Sequence, residues 1–298
     1  MTFNSFRRTT NSQKAFTLVE ILVVIAIIGL LTTIILVSTV GTREKAEIAK
    51  TLQWSGNVQS LLGADAVGIW SLDENPAIHG TTIADLSGWG NNGILYTNDG
   101  ATNKSVPGVV NNALSFDGVN DYVSVPNNSS LQITGELTLI FWQKLNSWAC
   151  IPFNKNYSYV GEFQIVDGTN PALIHWLHGD GSYEAINSFL PALTLNVWQQ
   201  IAIVRTVTPK KIYGYLNGVD SVGGKSYAKT VVADSTVLTM GQRPTNVYPC
   251  NGLIDEVHIY NRALTTAQIE SQYYASLDRL LAKNLIDEQE YQQRLAMH

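Results

Sequence analysis

The chain has 298 residues, 45% of them hydrophobic and only 14% charged, with a formal net charge of −5. Soluble domains carry about 25% charged residues, so one stretch must be unusually apolar. Two Cys and 23 Gly exclude a disulfide scaffold and a collagen repeat, and 9% aromatics exclude a wholly disordered chain. Without a basic patch or stripe, nucleic acid is not expected as a partner.

The apolar stretch is residues 16–40, FTLVEILVVIAIIGLLTTIILVSTV, in which Glu20 is the one charge. About 20 apolar residues at 1.5 Å each cross a ~30 Å hydrocarbon core, so the spacing predicts a transmembrane helix over 16–40. The run is too long for the apolar core of a secretory signal, and no A-x-A site follows it. An acid inside such a run is costly and calls for a cationic partner. The basic stretch holding Arg7, Arg8 and Lys14 ends at Ala15. A cut between Ala15 and Phe16 would free an amine four residues from Glu20, able to neutralise that carboxylate in a neighbouring copy.

Lys14-Ala15 followed by FTLVE resembles the prepilin processing motif of type IV pilins and type II secretion pseudopilins. The resemblance implies a leader over 1–15 and cleavage by a prepilin peptidase between Ala15 and Phe16. It also implies N-methylation of Phe16 and a role for Glu20 in assembly with other pilin or pseudopilin subunits. Such a chain sits in the inner (cytoplasmic) membrane as a single-pass protein, then in a filament or at the cell surface. Ala15 stands where the family usually has Gly, and Val37 where many major pilins have a kinking Pro, which points to a minor pilin or pseudopilin. Helix formers beyond residue 40 extend the pilin-like helix, which is expected over 16–64.

Residues 65–275 alternate short runs of β formers with Gly, Asn and Asp clusters, the pattern of a sandwich or barrel. Predicted strands include 67–72, 113–116, 122–125, 136–144, 162–166, 173–177, 198–205, 211–216, 237–241 and 252–260. Asn217-Gly218 is a two-residue hairpin signal, because both positions accept positive φ. Strict alternation puts Leu253, Asp255, Val257 and Ile259 on one strand face and Ile254, Glu256, His258 and Tyr260 on the other. Asp255 is then expected among apolar neighbours, where a carboxylate needs hydrogen bonds or a cation. Thr265 and Gln268 form a capping box opening a short helix. In 276–298, Leu277, Leu280 and Leu281 keep helical spacing and Asp287 with Glu290 reads as a second cap. A solvated helical hairpin is the expectation here, with docking on the domain or stalk as the alternative.

In order, DLSGWGNNG at 85–93, NALSFDG at 112–118 and GLIDEVHIYNRALTTAQIESQYY at 252–274 resemble a LamG-like, concanavalin A-like domain. The expected fold is therefore an all-β jelly-roll sandwich preceded by one long N-terminal α-helix, with a short helical C-terminal tail. The resemblance implies one structural calcium, for which Asp85, Asn91 and Asp255 are the candidate ligands, since calcium takes oxygens from Asp, Asn and loop carbonyls. Loop aromatics and nearby polar groups suit sugar rings, making Trp148, Trp176, His178 and Tyr183 the ligand-binding candidates. The chain holds no E-x-D-x-x-E, G-x-S-x-G or H-E-x-x-H string, so no catalytic residues and no enzymatic activity are expected. Cys150 and Cys250 either pair, as an oxidising compartment favours, or stay as buried thiols.

The functional expectation is a minor pilin or pseudopilin that displays a LamG-like carbohydrate- or ligand-binding domain for adhesion or recognition. The alternatives are a type II secretion pseudopilus component without ligand binding, and a simple membrane-anchored lectin-like or glycan-active domain.

Overall fold

The computed structural model describes residues 18–27, 63–157, 160–167, 174–220, 222–243 and 248–296. The chain divides into two compact units, Met1–Lys50 and Thr51–His298. In the first, helix α1 covers residues 18–27, contains Glu20, and leaves Leu18, Val19, Ile21 and Leu22 exposed. Ala15, Phe16 and the helix expected over 28–62 lie outside the described residues. Among the described residues no helix is long and apolar enough to cross a membrane.

The second unit is a β-sandwich. Its strands are, in chain order, β1 (Ala66–Trp70), β2 (Thr82–Ile83), β3 (Gly93–Tyr96), β4 (Ser105–Pro107), β5 (Asn112–Asp117) and β6 (Tyr122–Val125). Next come β7 (Leu137–Leu145), β8 (Phe153–Tyr157), β9 (Val160–Asp167), β10 (Ile174–Asp180), β11 (Tyr183–Asn187) and β12 (Gln199–Val207). Then follow β13 (Lys210–Leu216), β14 (Val219–Asp220), β15 (Lys225–Ser226), β16 (Leu238–Met240) and β17 (Asn251–Tyr260). Helices α2 (Thr266–Ala282) and α3 (Glu288–Leu295) close the unit. One sheet has nine strands, in the order β14-β13-β12-β7-β17-β5-β4, with β1 on β17 and β15 on β13. The other has eight, in the order β11-β10-β9-β8-β16-β6-β3-β2.

Between the sheets lies one continuous core that includes Trp70, Phe116, Phe141, Phe153, Phe163, Trp176 and Ile254. Fully burying a side chain of this kind is worth about 1.5–3 kcal/mol. The strands that the sequence pattern does not mark are β2, β3, β4, β8, β11, β14 and β15. They run two to five residues, too short to show a period of their own, and they form because longer neighbours offer a ladder. At the β13–β14 turn Asn217 has φ 51° and Gly218 φ 83°, the pair of positive angles that Asn-Gly supplies.

Two expectations are corrected. Strict alternation in β17 fails, because its register with β7 slips between Asp255 and His258, where Glu256 takes φ 50°. The bulge lets Ile254 before it and Val257 and Ile259 after it all face the inter-sheet core, while Leu253 packs on the opposite side. The C-terminal tail is not solvated. β7 is buried along nearly its whole length on both faces, so the outer face of the nine-stranded sheet also needs an apolar cover. Helix α2 supplies it with Tyr273, Leu277 and Leu280, packed with Trp142, Trp198, Ile286 and Tyr291. The Thr265–Gln268 capping box starts α2, and Asp287 caps α3 by accepting from the Glu290 N–H. The α2 helix runs through the leucines as one piece to Ala282.

A disulfide joins Cys150, just before β8, to Cys250, just before β17. It ties the two sheets together across a sequence separation of 100. Replacing both cysteines by Ser should cost about 2–4 kcal/mol, because the unfolded chain regains the entropy of that loop. Denaturant unfolding of wild type and double variant checks this, and coincident midpoints would contradict it.

Candidate functional site

Helices α2 and α3 cover the nine-stranded sheet; on the outer face of the eight-stranded sheet Tyr96, Tyr122 and Ser124 reach solvent, while Asn154 and Thr239 are buried. In β6, Val123 and Val125 enter the core, so Tyr122 and Ser124 face outward; in β16, Leu238 and Met240 enter and Thr239 faces outward. In β3, Leu95 enters and Tyr96 faces outward. The ladder sets Tyr96 opposite Tyr122, and Ser124 opposite Thr239. The two tyrosine rings stack at 4.9 Å with planes 11° apart, and His79 meets Tyr96 edge-on at 5.7 Å. The His79 Nδ1 is held 2.8 Å from the Thr97 carbonyl oxygen.

These side chains wall a groove of about 420 Å³, completed by Thr97, Asn98, Asn120, Val237 and Gln242. Its floor is polar: Thr239 donates its hydroxyl to the Gln242 carbonyl at 2.6 Å. The Gln242 Oε1 is buried without a hydrogen-bond partner, and the residue is 3% exposed. An aromatic wall beside a few convergent polar groups is the ordinary make-up of a small-molecule site.

One lip of the groove is fixed by an ion cluster. Lys104 is buried and its Nζ lies 2.6 Å from Asp99, 3.4 Å from Asp117 and 2.7 Å from Asp121. Burial alone would lower its pKa, but the hydrogen bonds it donates to Asp121 and Asp99 outweigh that and hold it above the usual lysine value. Asp117 in turn accepts from the N–H of Val119 and of Asn120, so the cluster shapes the loop that presents Asn120.

The sequence candidates lie elsewhere. Trp176 and His178 are fully buried, Trp176 in the inter-sheet core, and neither lines the groove. As residues two apart on β10 they share one strand face, the face on which Trp176 enters the inter-sheet core. Trp176 Nε1 donates to His178 Nδ1 at 2.9 Å. Trp148 is partly buried against the same core, and Tyr183 is exposed at the start of β11, outside the groove. Tyr96 and Tyr122 are the residues that sequence reasoning missed. Their signal is the outward phase of two strands that pair, visible only once the register is known.

The expected calcium ligands fall in two places. Asp85 spends Oδ1 on the N–H groups of Ile69 and Ser87, and Oδ2 on the Asn91 N–H and the Ser87 hydroxyl. The Asn91 Nδ2 donates to Val67 O and Ser130 Oγ. Asp255 lies under a different loop, where its Oδ2 accepts from the Val110 N–H. Burial, then the neighbouring Glu256, pushes its carboxyl well above the aspartate range. The Asp85 and Asp255 oxygens are thus engaged by N–H donors, whereas the Asn91 Oδ1 is buried without a hydrogen-bond partner. Among the described residues no three His, Cys, Asp or Glu side chains converge to hold a metal ion.

Burial, and then the positive field of Arg205, lowers the His178 pKa to about 4 against the opposing pull of Glu184. Between that value and the ordinary imidazole pKa of about 6.5 the unfolded chain therefore binds more protons than the folded one. This contribution to stability is whole above about pH 6.5 and is lost as pH falls towards 4. His178→Gln should flatten that part of the acid slope in thermal melts, and an unchanged slope would contradict the assignment.

Residues 117–270 match the profile of the concanavalin A-like lectin/glucanases superfamily, and residues 10–36 match the prokaryotic N-terminal methylation motif. No curated protein matches the chain in sequence. Among solved structures, the binding domain of Paraclostridial Mosquitocidal Protein 1 superposes with TM-score 0.56 at 20% identity, over 73% of this chain and 53% of that one. Domain 4 of AbnA, an extracellular GH43 arabinanase from Geobacillus stearothermophilus solved with arabinotriose, gives 0.54 at 18% identity, over 70% and 98%. The botulinum neurotoxin serotype D ligand-binding domain, solved with N-acetylneuraminic acid, gives 0.55 at 15%, over 74% and 53%. The chain thus spans about half the length of the two toxin structures, and at these identities the likeness speaks to fold alone. An N-terminal methylation segment is fused here to a lectin-like sandwich, and since the sandwich profile covers more than half of its residues, the chain belongs to the concanavalin A-like lectin/glucanases superfamily.

Proposed function

We propose that this protein is a pilin-like subunit, cleaved before Phe16 by a prepilin peptidase, that displays a carbohydrate-binding domain at the cell surface for adhesion or recognition. The observation that carries the binding half is the groove on the outer face of the eight-stranded sheet, where paired tyrosines stand over a polar floor. Aromatic faces pack against the C–H faces of sugar rings, while hydroxyl and amide groups hold sugar hydroxyls. AbnA domain 4 with its arabinotriose and the neurotoxin domain with its N-acetylneuraminic acid are sugar-holding members of the same architecture, which supports the reading.

The match to the methylation motif over residues 10–36 supports the other half. In this reading the new Phe16 amine neutralises Glu20 of an adjacent subunit at the same depth in the bilayer, and the apolar helices pack side by side. The binding domain is then carried outward on a filament.

Two measurements test the halves separately. Mass spectrometry of the protein purified from membranes should find a chain beginning at N-methylated Phe16, and Glu20→Ala should reduce recovery of assembled material; a chain that starts at Met1 would overturn the processing step. Tyr122→Ala should weaken oligosaccharide binding at least tenfold on a glycan array without changing the melting temperature by more than a few degrees. Undiminished binding would move the site away from this groove.

A further inference from the structure

Given the carbohydrate function proposed above, on which this step rests, the groove also constrains the charge of its ligand. None of its ten lining residues is Lys or Arg. His79 is the one lining side chain able to carry positive charge, and its Nδ1 is already taken up by the Thr97 backbone. The nearest buried ammonium described at the lip, Lys104, is surrounded by Asp99, Asp117 and Asp121, so carboxylates outnumber it three to one. A carboxylate-bearing sugar would enter this setting without a cation to pair with and against a local excess of acids. Binding such a group needs Arg, Lys or an equivalent donor array.

The Gln242 Oε1 bears on how a sugar would be held. It is an acceptor, buried and unpartnered at the groove. A buried acceptor left unmade carries a desolvation cost that a donor from the ligand removes. A sugar hydroxyl is such a donor, so the discrimination between neutral and acidic sugars rests on the charge of the wall and the hydroxyl bond adds affinity.

We propose that the groove selects an uncharged sugar, one of whose hydroxyls donates to Gln242 Oε1, and rejects sugars that carry a carboxylate. Gln242 thereby adds affinity, and recognition at this site is independent of ionic strength, because no charge is exchanged between ligand and wall.

The test uses the full chain in detergent at about pH 8, where an ordinary imidazole is neutral. Its probes are arabinotriose and other neutral oligosaccharides on one side and sialyllactose on the other. The expected result is binding of a neutral probe, unchanged between low and high salt, with sialyllactose much weaker. Gln242→Met, which removes the acceptor at similar size, should weaken neutral binding about tenfold. Sialyllactose bound as well as the neutral probes, or Gln242→Met binding like wild type at an unchanged melting temperature, overturns the inference and leaves the carbohydrate reading standing. Binding of neither probe class by the wild-type chain overturns both.

Discussion

The architecture depends on one constraint: the central strands of the nine-stranded sheet are apolar on both sides. β7 buries eight of its nine residues, with Leu139 and Phe141 towards the other sheet and Ile140 and Trp142 away from it. A strand of that kind cannot leave either face in water. One face is closed by the second sheet and the other by α2 and α3, with Ile269, Tyr273 and Leu277 of α2 fully buried. The helices are thus part of the core. Their placement decides which surface is left for binding, since the covered sheet cannot serve and the eight-stranded sheet keeps its outward row of Tyr122, Ser124 and Thr239.

Features set by a few consecutive residues were legible in the sequence alone. The Asn217-Gly218 turn, the Thr265–Gln268 box and the Asp287 cap each hold as read, because each is a local hydrogen-bonding or dihedral requirement. The resemblance to a lectin-like sandwich was legible for a different reason, the order of strings spread along the domain. The groove was not legible. Tyr96 and Tyr122 become neighbours only through the β3–β6 ladder, and β3 is a four-residue strand whose GILY string shows no clear period. Trp176 and His178 misled for another reason: they share one face of β10 by alternation, and which face meets the core shows only once the sheets are packed. Asp255 sits beside the bulge that broke the alternation rule, so its surroundings depended on a residue-by-residue slip that no period reveals.

Charges are few in this domain, and two buried cations act on backbone. The Arg205 guanidinium donates to the carbonyls of Ile133, Gly135 and Glu162 and lies over the Trp176 ring. Lys155 donates to Asn127 and to the carbonyls of Asp234 and Thr236, with Glu162 alongside. Lys104 gathers carboxylates that cap the loop around Asn120. Arg205 and Lys155 thus bond carbonyls of the irregular segments at 133–135 and 234–236, where an unpaired buried carbonyl would otherwise be costly, while Lys104 pairs with carboxylates. The binding surface inherits this division of labour, with positive charge spent inside and neutral polar groups left outside.

The pairing of β7 with β17 has a consequence for how the molecule comes into being. β17 is the common partner of β1, β5 and β7, so strands from the beginning and middle of the domain wait for one near its end. A chain made from its N-terminus has no closed core until that late strand appears, and no seal over Trp142 until α2 follows. The domain therefore commits to its shape only when nearly all of it has been made, an order imposed by connectivity.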